Sequence, residues 1–288
     1  MLSCLGLAAA APLADPAYRS SVEKWRQAYE AGLKSDHGWL TVSGLFWLHE
    51  GENTFGSGPL NDIVLPASAP ASAGTFEFHH GRTTVHLKAG VPATIGGRRA
   101  DSAEMRPDSQ DQLVLGDLAL YVHASGERFT IRLRDKNSPL RKEFTGTRWF
   151  PVDDSYRVVG TFMPYDKPKP VEIQNVMGDT LNDTMLGYVA FRLAGKDLRL
   201  DIDAASGEVE FVFRDLTSGH ETYAASRFLD TTIGPDGKVV LDFNEAFNPP
   251  CAYNPFTTCP LPPPQNRLDV RIAAGEKTYH HAVASAQH

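Results

Sequence analysis

The sequence is poor in cysteine, in clustered basic residues and in long apolar runs. Three of its 288 residues are cysteine, and the net charge is −7 at pH 7. Duplex-binding proteins carry a dense basic face, and no such Lys/Arg cluster is present, so no nucleic-acid partner is expected. No apolar run reaches the ~18 residues that a membrane span needs, so no transmembrane segment is expected.

Motifs that bind common cofactors are missing as well. The chain contains no G-x-S-x-G, no G-x-x-x-x-G-K-[ST] and no G-x-G-x-x-G at the start of a βαβ unit. Zinc-type C-x-x-C or H-x-x-x-H spacing and the EF-hand spacing are also absent. We therefore predict no cofactor and no metal site. A Ser/His/Asp triad and a glycosidase-type carboxylate pair are defined by geometry rather than by spacing, so both stay open.

The first residues, 1–14, are apolar and uncharged. They read M-L-S-C-L-G-L-A-A-A-A-P-L-A and end in small residues before Asp15. This composition resembles the later part of a secretory signal peptide, with cleavage after Ala14. It predicts an exported protein, located in the periplasm or cell envelope. A lipid anchor on Cys4 and an apolar tail without a targeting role are the alternatives.

Hydrophobic periodicity predicts one helix followed by β structure. Apolar and aromatic residues recur at spacings of three and four near the start of the chain, at Tyr18, Val22, Trp25, Tyr29 and Leu33. This spacing favours a helix over 15–35, packed on the edge of a β body. Short alternating runs bounded by Gly, Pro, Asn and Asp follow and predict antiparallel sheets. The predicted fold is all-β, with two packed antiparallel lobes over 36–146 and 147–288.

The first lobe has the motif order of a known β-sandwich. The motifs are Gly51-Glu-Asn-Thr-Phe-Gly56, Asn61-Asp-Ile-Val-Leu-Pro66, Ile95-Gly-Gly97 and Leu115-Gly-Asp117. This order resembles the forkhead-associated sandwich, whose phosphothreonine readers place an Arg just after the opening Gly and a Ser and His on the next loop. Here Ser57-Gly58-Pro59 follows Gly56, and the loop Ala69–Gly74 has Ser72 but no His. A phosphopeptide partner is therefore not expected.

A second resemblance extends from about Trp25 to Tyr279. The residues that carry it are Gly38-Trp-Leu40, Gly44-Leu-Phe-Trp-Leu48, Glu50-Gly-Glu-Asn53, Leu140-Arg-Lys-Glu-Phe-Thr-Gly146, Thr222-Tyr223, Arg227-Phe-Leu229, Asp242-Phe-Asn244, Asn248-Pro-Pro-Cys-Ala-Tyr253, Cys259-Pro-Leu-Pro-Pro263, Asn266-Arg-Leu268 and Ala274-Gly-Glu276. They resemble the domain-of-unknown-function 1684 family. The resemblance implies membership and brings no secure activity, so the residue chemistry must carry any functional claim.

The stretch from Asp242 to Asn266 is rich in proline and asparagine. It contains seven Pro, four Asn and two of the three Cys. Because Pro lacks an N–H and fixes φ, we expect a rigid, irregular loop. Its polar residues predict a ligand site between this loop and the second lobe. The predicted ligand-binding residues are Arg227, Asp242, Asn244, Asn248, Asn266 and, at the lobe boundary, Arg141.

Other roles are open for the same residues. Asp and Asn side chains also cap loop backbone groups or bind Ca²⁺. If Leu241–Asn244 is a strand, Asp242 and Asn244 lie on the same face of it. For Arg227 the alternative is an ion pair with Asp230 or Asp242. Cys251 and Cys259 predict a disulfide in an exported protein, with a metal site or a catalytic thiol as alternatives.

The predicted function is binding of a small polar or anionic molecule in the second lobe. One alternative is a hydrolase that uses the same pocket, with Asp242 or Glu276 as a general base whose pKa is raised by burial. Another is a protein-interaction scaffold that uses the first-lobe loops 57–60 and 69–74. Whether the protein is an enzyme stays open at this stage.

Overall fold

A computed structural model describes residues 15–280. Helix α1 spans Pro16–Lys34, where Asp15 accepts hydrogen bonds from the Ala17 and Tyr18 amides and Pro16 occupies the first turn. Its buried side chains are Val22 and Leu33, as the sequence periodicity predicted. The predicted signal peptide lies outside the described residues.

Ten strands and a short helix form the first lobe and its end. They are β1 (Val42–Trp47), β2 (Gly51–Gly56), β3 (Ile63–Val64), β4 (Gly74–His79), β5 (Arg82–Leu87), β6 (Thr94–Ile95), β7 (Ser102–Met105), β8 (Leu113–Leu115), β9 (Leu118–Ser125), β10 (Arg128–Asp135) and α2 (Pro139–Glu143). One sheet has the order β1-β10-β9-β8-β6 and the other β3-β2-β4-β5-β7. All pairs are antiparallel except β2 with β3.

The two sheets of the first lobe share one hydrophobic core. Phe55 and Phe76 from one sheet are buried in the same cluster as Leu120 and Ile131 from the other. Because successive side chains of a strand point to opposite faces of the sheet, every second side chain enters this core. The packed antiparallel sheets confirm the predicted fold class, while the forkhead-associated resemblance and the lobe boundary at 146/147 stay predictions.

The second lobe is a single six-stranded antiparallel sheet. Its strands are β11 (Arg157–Gln174), β12 (Thr180–Leu193), β13 (Lys196–Ile202), β14 (Gly207–Phe213), β15 (Arg227–Ile233) and β16 (Lys238–Asp242), in the spatial order β13-β12-β11-β16-β15-β14. The chain order therefore leaves β13 and β14, which are consecutive in sequence, at opposite edges of the sheet.

A later segment of the chain connects these two edges. Asn266 accepts a hydrogen bond from the Asp201 amide at 2.7 Å and donates to the carbonyls of Asp201 and Val212, each at 3.1 Å. The next residues continue into the core, where Leu268, Val270, Ile272 and Ala274 are buried. Since an open sheet edge exposes unpaired backbone groups, this segment both caps the edges and fills the interior.

Among residues 15–280, no helix combines the length and the apolar character needed to cross a membrane.

Candidate functional site

Arg227 is fully buried and binds protein groups only. It lies on β15, and its Nη1 donates to Asp215 Oδ2 at 3.1 Å and to the Ile272 carbonyl at 3.2 Å, while Nη2 donates to the Ala274 carbonyl. Burial lowers the pKa of the guanidinium. The ion-pair alternative is therefore realised with Asp215, not with Asp230 or Asp242, because the turn after β14 carries Asp215 back beside β15.

Asp242 and Asn244 connect helix α1 to the second lobe. Both oxygens of Asp242 lie 2.8 Å from the Tyr18 hydroxyl, and Asn244 Nδ2 donates to the same hydroxyl at 2.9 Å. The predicted strand through Asn244 is wrong, since β16 ends at Asp242 and residues Phe243–Glu245 form a 3-10 turn. Asp242 caps that turn by accepting a hydrogen bond from the Asn244 amide. In a continued strand, this amide would instead bind a neighbouring strand.

Asn248 and Glu276 belong to a second buried network. Glu276 accepts hydrogen bonds from the Tyr253 hydroxyl at 2.5 Å and from the Asn248 amide at 2.8 Å. Asn248 Nδ2 donates to the Lys277 carbonyl at 2.8 Å. Glu276 is 1% exposed, and burial raises its pKa to about 7. Such a pKa suits a general base, yet the carboxylate is buried and both of its oxygens already accept hydrogen bonds.

Arg141 lies apart from this region. Its Nη1 donates to Asp36 Oδ1 at 2.9 Å and to the Lys136 carbonyl at 3.2 Å. All six predicted ligand-binding residues therefore bind backbone or side-chain groups of the protein, although Arg227 Nε and Asn248 Oδ1 have no hydrogen-bond partner among the described residues. They do not converge on one pocket, and of the six only Asn266 lines the open cavity described below.

Cys251 and Cys259 are free thiols in contact. The Cys251 amide donates to Cys259 Sγ at 3.3 Å. A hydrogen bond between the two thiols, followed by burial, raises the pKa of Cys251, and the same bond is the main cause of a lowered pKa at Cys259. No bond joins the sulfurs in the structure, and the disulfide stays a prediction.

An open cavity does lie between the second lobe and the Pro-rich loop. It has a volume of about 600 Å³, and the loop contributes Pro260, Leu261 and Pro263 to its wall. The opposite wall comes from β12, β13 and β14. Five carboxylates line this cavity, which we call the acidic cleft: Asp183, Asp201, Asp203, Glu208 and Glu210. Among the described residues that line it, none is Lys, Arg or His.

Strand alternation explains how the acids reach the cleft. Along β14, Val209, Phe211 and Phe213 enter the core, so Glu208 and Glu210 face outward. Glu210 stands directly opposite Asp230 of β15, and like charges at such a pair repel. Burial in the concave surface, followed by Asp230, Cys259 and Asp203, raises the pKa of Glu210 to about 7. Neighbouring acids of this region therefore disfavour the charged form of Glu210.

Asp201 is the most enclosed carboxylate of the acidic cleft. It is 6% exposed, and its Oδ1 accepts no hydrogen bond from the residues that the structure describes. Arg199 Nε forms an ion pair with this oxygen at 3.8 Å, a distance too long for a hydrogen bond. Burial and a hydrogen bond to Asp201 raise the pKa of Tyr165. A buried carboxylate oxygen without a donor is costly, and the cavity beside it leaves room for one.

The sequence reasoning missed these acids. Their signal is an acidic residue on each side of an apolar one at a strand end, in Asp201-Ile-Asp203 and Glu208-Val-Glu210. Each pair reads as an ordinary solvated strand face. Only the arrangement of β13 and β14 at the two edges of the sheet, with the loop across them, encloses the pairs in one cavity.

Comparison with known proteins gives a family but no activity. A family model described as "Protein of unknown function (DUF1684)" matches residues 142–277. An uncharacterized protein from gene locus rrnAC0354 of Haloarcula marismortui, solved by NMR, is 32% identical over 48% of this chain and 79% of its own, with a TM-score of 0.40. No curated protein matches. The chain belongs to the DUF1684 family of proteins of unknown function.

Proposed function

We propose that this protein binds a small organic cation with an apolar body in the acidic cleft. The observation that carries the proposal is Asp201, whose buried Oδ1 lacks a hydrogen-bond donor beside an open cavity. A bound ammonium group would supply that donor and offset the repulsion among the neighbouring carboxylates.

The size and walls of the acidic cleft fit such a ligand. Its volume of about 600 Å³ lies within the roughly 300–1,000 Å³ of small-molecule sites. Ile202, Val209 and Leu261 supply apolar wall surface beside the carboxylates. Among residues 15–280, no three His, Cys, Asp or Glu side chains are grouped so as to hold a metal ion. These features favour an amine with a hydrocarbon body.

This proposal keeps the predicted region and changes the predicted charge of the ligand. A small polar molecule is still bound between the second lobe and the loop, but carboxylates favour a cation over an anion. The hydrolase alternative with Glu276 gains no support, because that carboxylate is buried and hydrogen-bonded. The scaffold alternative through the first lobe and the exported location stay predictions.

Calorimetry with three ligands of matched shape tests the proposal. We expect benzylamine to bind, and benzyl alcohol and benzoate not to bind, because only the amine carries a positive charge. Its affinity should rise from pH 6 to pH 8 as Glu210, with a pKa of about 7, loses its proton. Asp201→Asn should weaken binding about tenfold or more.

Asp197→Asn provides the matched control, because Asp197 lies on the same strand and its side chain is 84% exposed. That variant should bind benzylamine as the parent protein does. Absence of benzylamine binding, equal binding of all three ligands, or full affinity in Asp201→Asn would each contradict the proposal.

A further inference from the structure

A second polar constellation lies where the Pro-rich loop meets the first lobe. His123, on β9, stands between a carboxylate and a hydroxyl. Its Nδ1 is 2.6 Å from Asp108 Oδ1, and its Nε2 is 2.7 Å from Thr258 Oγ1. Thr258 lies 135 positions from His123 in the sequence, and none of the three residues was singled out by the sequence motifs.

For a neutral imidazole, one arrangement of protons suits both contacts. A carboxylate only accepts hydrogen bonds, so Nδ1 of neutral His123 carries the proton and donates it to Asp108. Nε2 is then an acceptor, and the Thr258 hydroxyl donates to it. Burial is the largest single effect and raises the pKa of Asp108, but the hydrogen bond and charge of His123, the Ala124 amide and the charge of Arg132 together hold that pKa below its ordinary value. The Thr258 hydroxyl therefore donates its proton toward His123, and the ionised Asp108 carboxylate orients the imidazole.

Arg132 adds a positive charge at the same hydroxyl. Its Nη2 donates to Thr258 Oγ1 at 3.3 Å. The residue is 5% exposed, its Nε has no hydrogen-bond partner among the described residues, and its guanidinium lies 5.5 Å from the centre of the Trp39 ring. A buried guanidinium stabilises negative charge on the adjacent oxygen far more than a solvated one does.

The backbone holds both ends of the constellation. Asp108 has φ 51°, a left-handed conformation that is costly for a residue other than glycine. Its amide donates to the Val122 carbonyl at 3.1 Å, which fixes it beside β9. On the other side, the Cys259 carbonyl accepts the Val176 amide at 3.0 Å and so anchors the loop next to Thr258. His123 and Thr258 are both partly exposed.

A similar trio elsewhere in the chain offers a comparison. His86 lies between Glu77, at 3.1 Å, and Ser102, at 3.0 Å, on the exposed face of neighbouring strands. Among residues 15–280 no guanidinium donates to Ser102. A carboxylate, an imidazole and a hydroxyl can therefore form such a trio on an exposed sheet face, so the trio alone does not indicate a catalytic site. The buried Arg132 distinguishes the Thr258 trio.

We infer that Thr258 is an acyl-transfer nucleophile that hydrolyses small carboxylic esters. His123 is its general base, and Asp108 positions the imidazole. Arg132 stabilises negative charge on Thr258 Oγ1, to which it donates a hydrogen bond. This activity is independent of cation binding in the acidic cleft.

The proposed reaction has two balanced steps. Thr258 Oγ forms a bond to the ester carbonyl carbon and gives its proton to His123 Nε2, which passes that proton to the departing alcohol as the carbon–oxygen bond breaks. Water then attacks the threonyl ester, loses a proton to His123 and releases the carboxylic acid. The proton returns to Thr258 Oγ, so no oxidant or other co-reactant is required.

Hydrolysis of p-nitrophenyl acetate, with mass analysis of peptides after acid quench, tests this inference. We expect an acetyl group on Thr258, a loss in kcat/KM on the order of 100-fold in Thr258→Val, and retained activity in Thr258→Ser. Cys259→Ser examines the neighbouring thiol, and His86→Asn examines the exposed trio. Both of these variants should hydrolyse the ester at the parent rate.

Several outcomes would overturn it. They are absence of the acetyl group from Thr258, parental activity in Thr258→Val, or a loss in Cys259→Ser or His86→Asn equal to that in Thr258→Val. If Thr258→Val does not fold, the acetylated residue and the activity of Thr258→Ser decide the question.

Discussion

At the scale of single residues, polar side chains near the Pro-rich loop act as structural connectors. Asn244, Asn248 and Asn266 each bind backbone groups of other segments. A loop with many prolines has few N–H groups and cannot join a strand ladder, so side chains supply the missing hydrogen bonds. The capping role considered for these residues therefore describes their contacts better than ligand binding does. Sequence alone could not separate the two roles, because both require the same side chains.

Glu276 should make stability depend on pH in a defined direction. Its pKa rises from 4.5 to about 7 on folding, so its favourable contribution is complete below pH 4.5 and is lost as pH rises through 7. We expect the parent protein to lose on the order of 3 kcal/mol relative to Glu276→Gln between pH 5 and pH 8. Urea unfolding of both proteins at the two pH values measures this, with exposed Glu127→Gln as control. A difference that is independent of pH would refute the assignment.

At the scale of elements, the loop is a series of short turns held at fixed points. Three 3-10 turns, Phe243–Glu245, Pro250–Ala252 and Pro264–Asn266, replace regular structure between β16 and the core segment. Asn254 Nδ2 donates to the Trp39 carbonyl at 2.9 Å, which ties the loop to the start of the first lobe. The proline content predicted this irregular structure, whereas the residues that anchor the loop lie in distant segments.

The cysteine pair should stabilise the loop when oxidised. Because the Cys251 amide already contacts Cys259 Sγ, we expect a mild disulfide oxidant to join the sulfurs with little rearrangement. Closing so short a ring should raise the free energy of unfolding by roughly 2–3 kcal/mol in the loop-entropy model. Thiol titration and urea unfolding, with and without reductant, check both statements, and Cys251→Ser is the control. Two titratable thiols after oxidation would contradict the predicted disulfide.

At the scale of the whole molecule, a polar cluster connects the two lobes. Asp179, which precedes β12, accepts hydrogen bonds from Arg128 Nε at 2.6 Å and from the Ser125 hydroxyl at 2.7 Å. Asn175 Nδ2 donates to the same Ser125 hydroxyl at 2.8 Å. These contacts join the β9–β10 turn of the first lobe to the far end of the β11–β12 hairpin. Their polar character suits a contact between two folded bodies with separate cores.

Asp179 should contribute stability that is lost in acid. Its hydrogen bond to Arg128 is the main cause of a pKa lowered from 3.8 to about 2. The contribution is therefore present above pH 3.8 and disappears as pH falls through 2. We expect Asp179→Asn to lower the free energy of unfolding by about 2 kcal/mol at pH 7, with a smaller loss near pH 2. Denaturant unfolding across this range measures it, and an equal loss at both ends would contradict the prediction.

The sequence by itself determined the local features of this protein. Apolar spacing determined the helix and the strands, proline content determined where the rigid loop lies, and the family motifs determined membership. These properties depend on neighbouring residues and on side-chain periods of 3.6 and 2. From these local features we predicted a ligand site beside the loop, but not which residues line it.

Only the tertiary structure decided which polar groups are hydrogen-bonded within the protein and which lack a partner. The Nη atoms of Arg227 and the amide of Asn266 bind segments distant in sequence, whereas Asp201 Oδ1 accepts no hydrogen bond among the described residues and belongs to a residue that lines a cavity. His123 meets Thr258 across 135 positions of the chain. Hydrogen-bond partners, burial and cavity shape arise from long-range packing, and no local pattern encodes them.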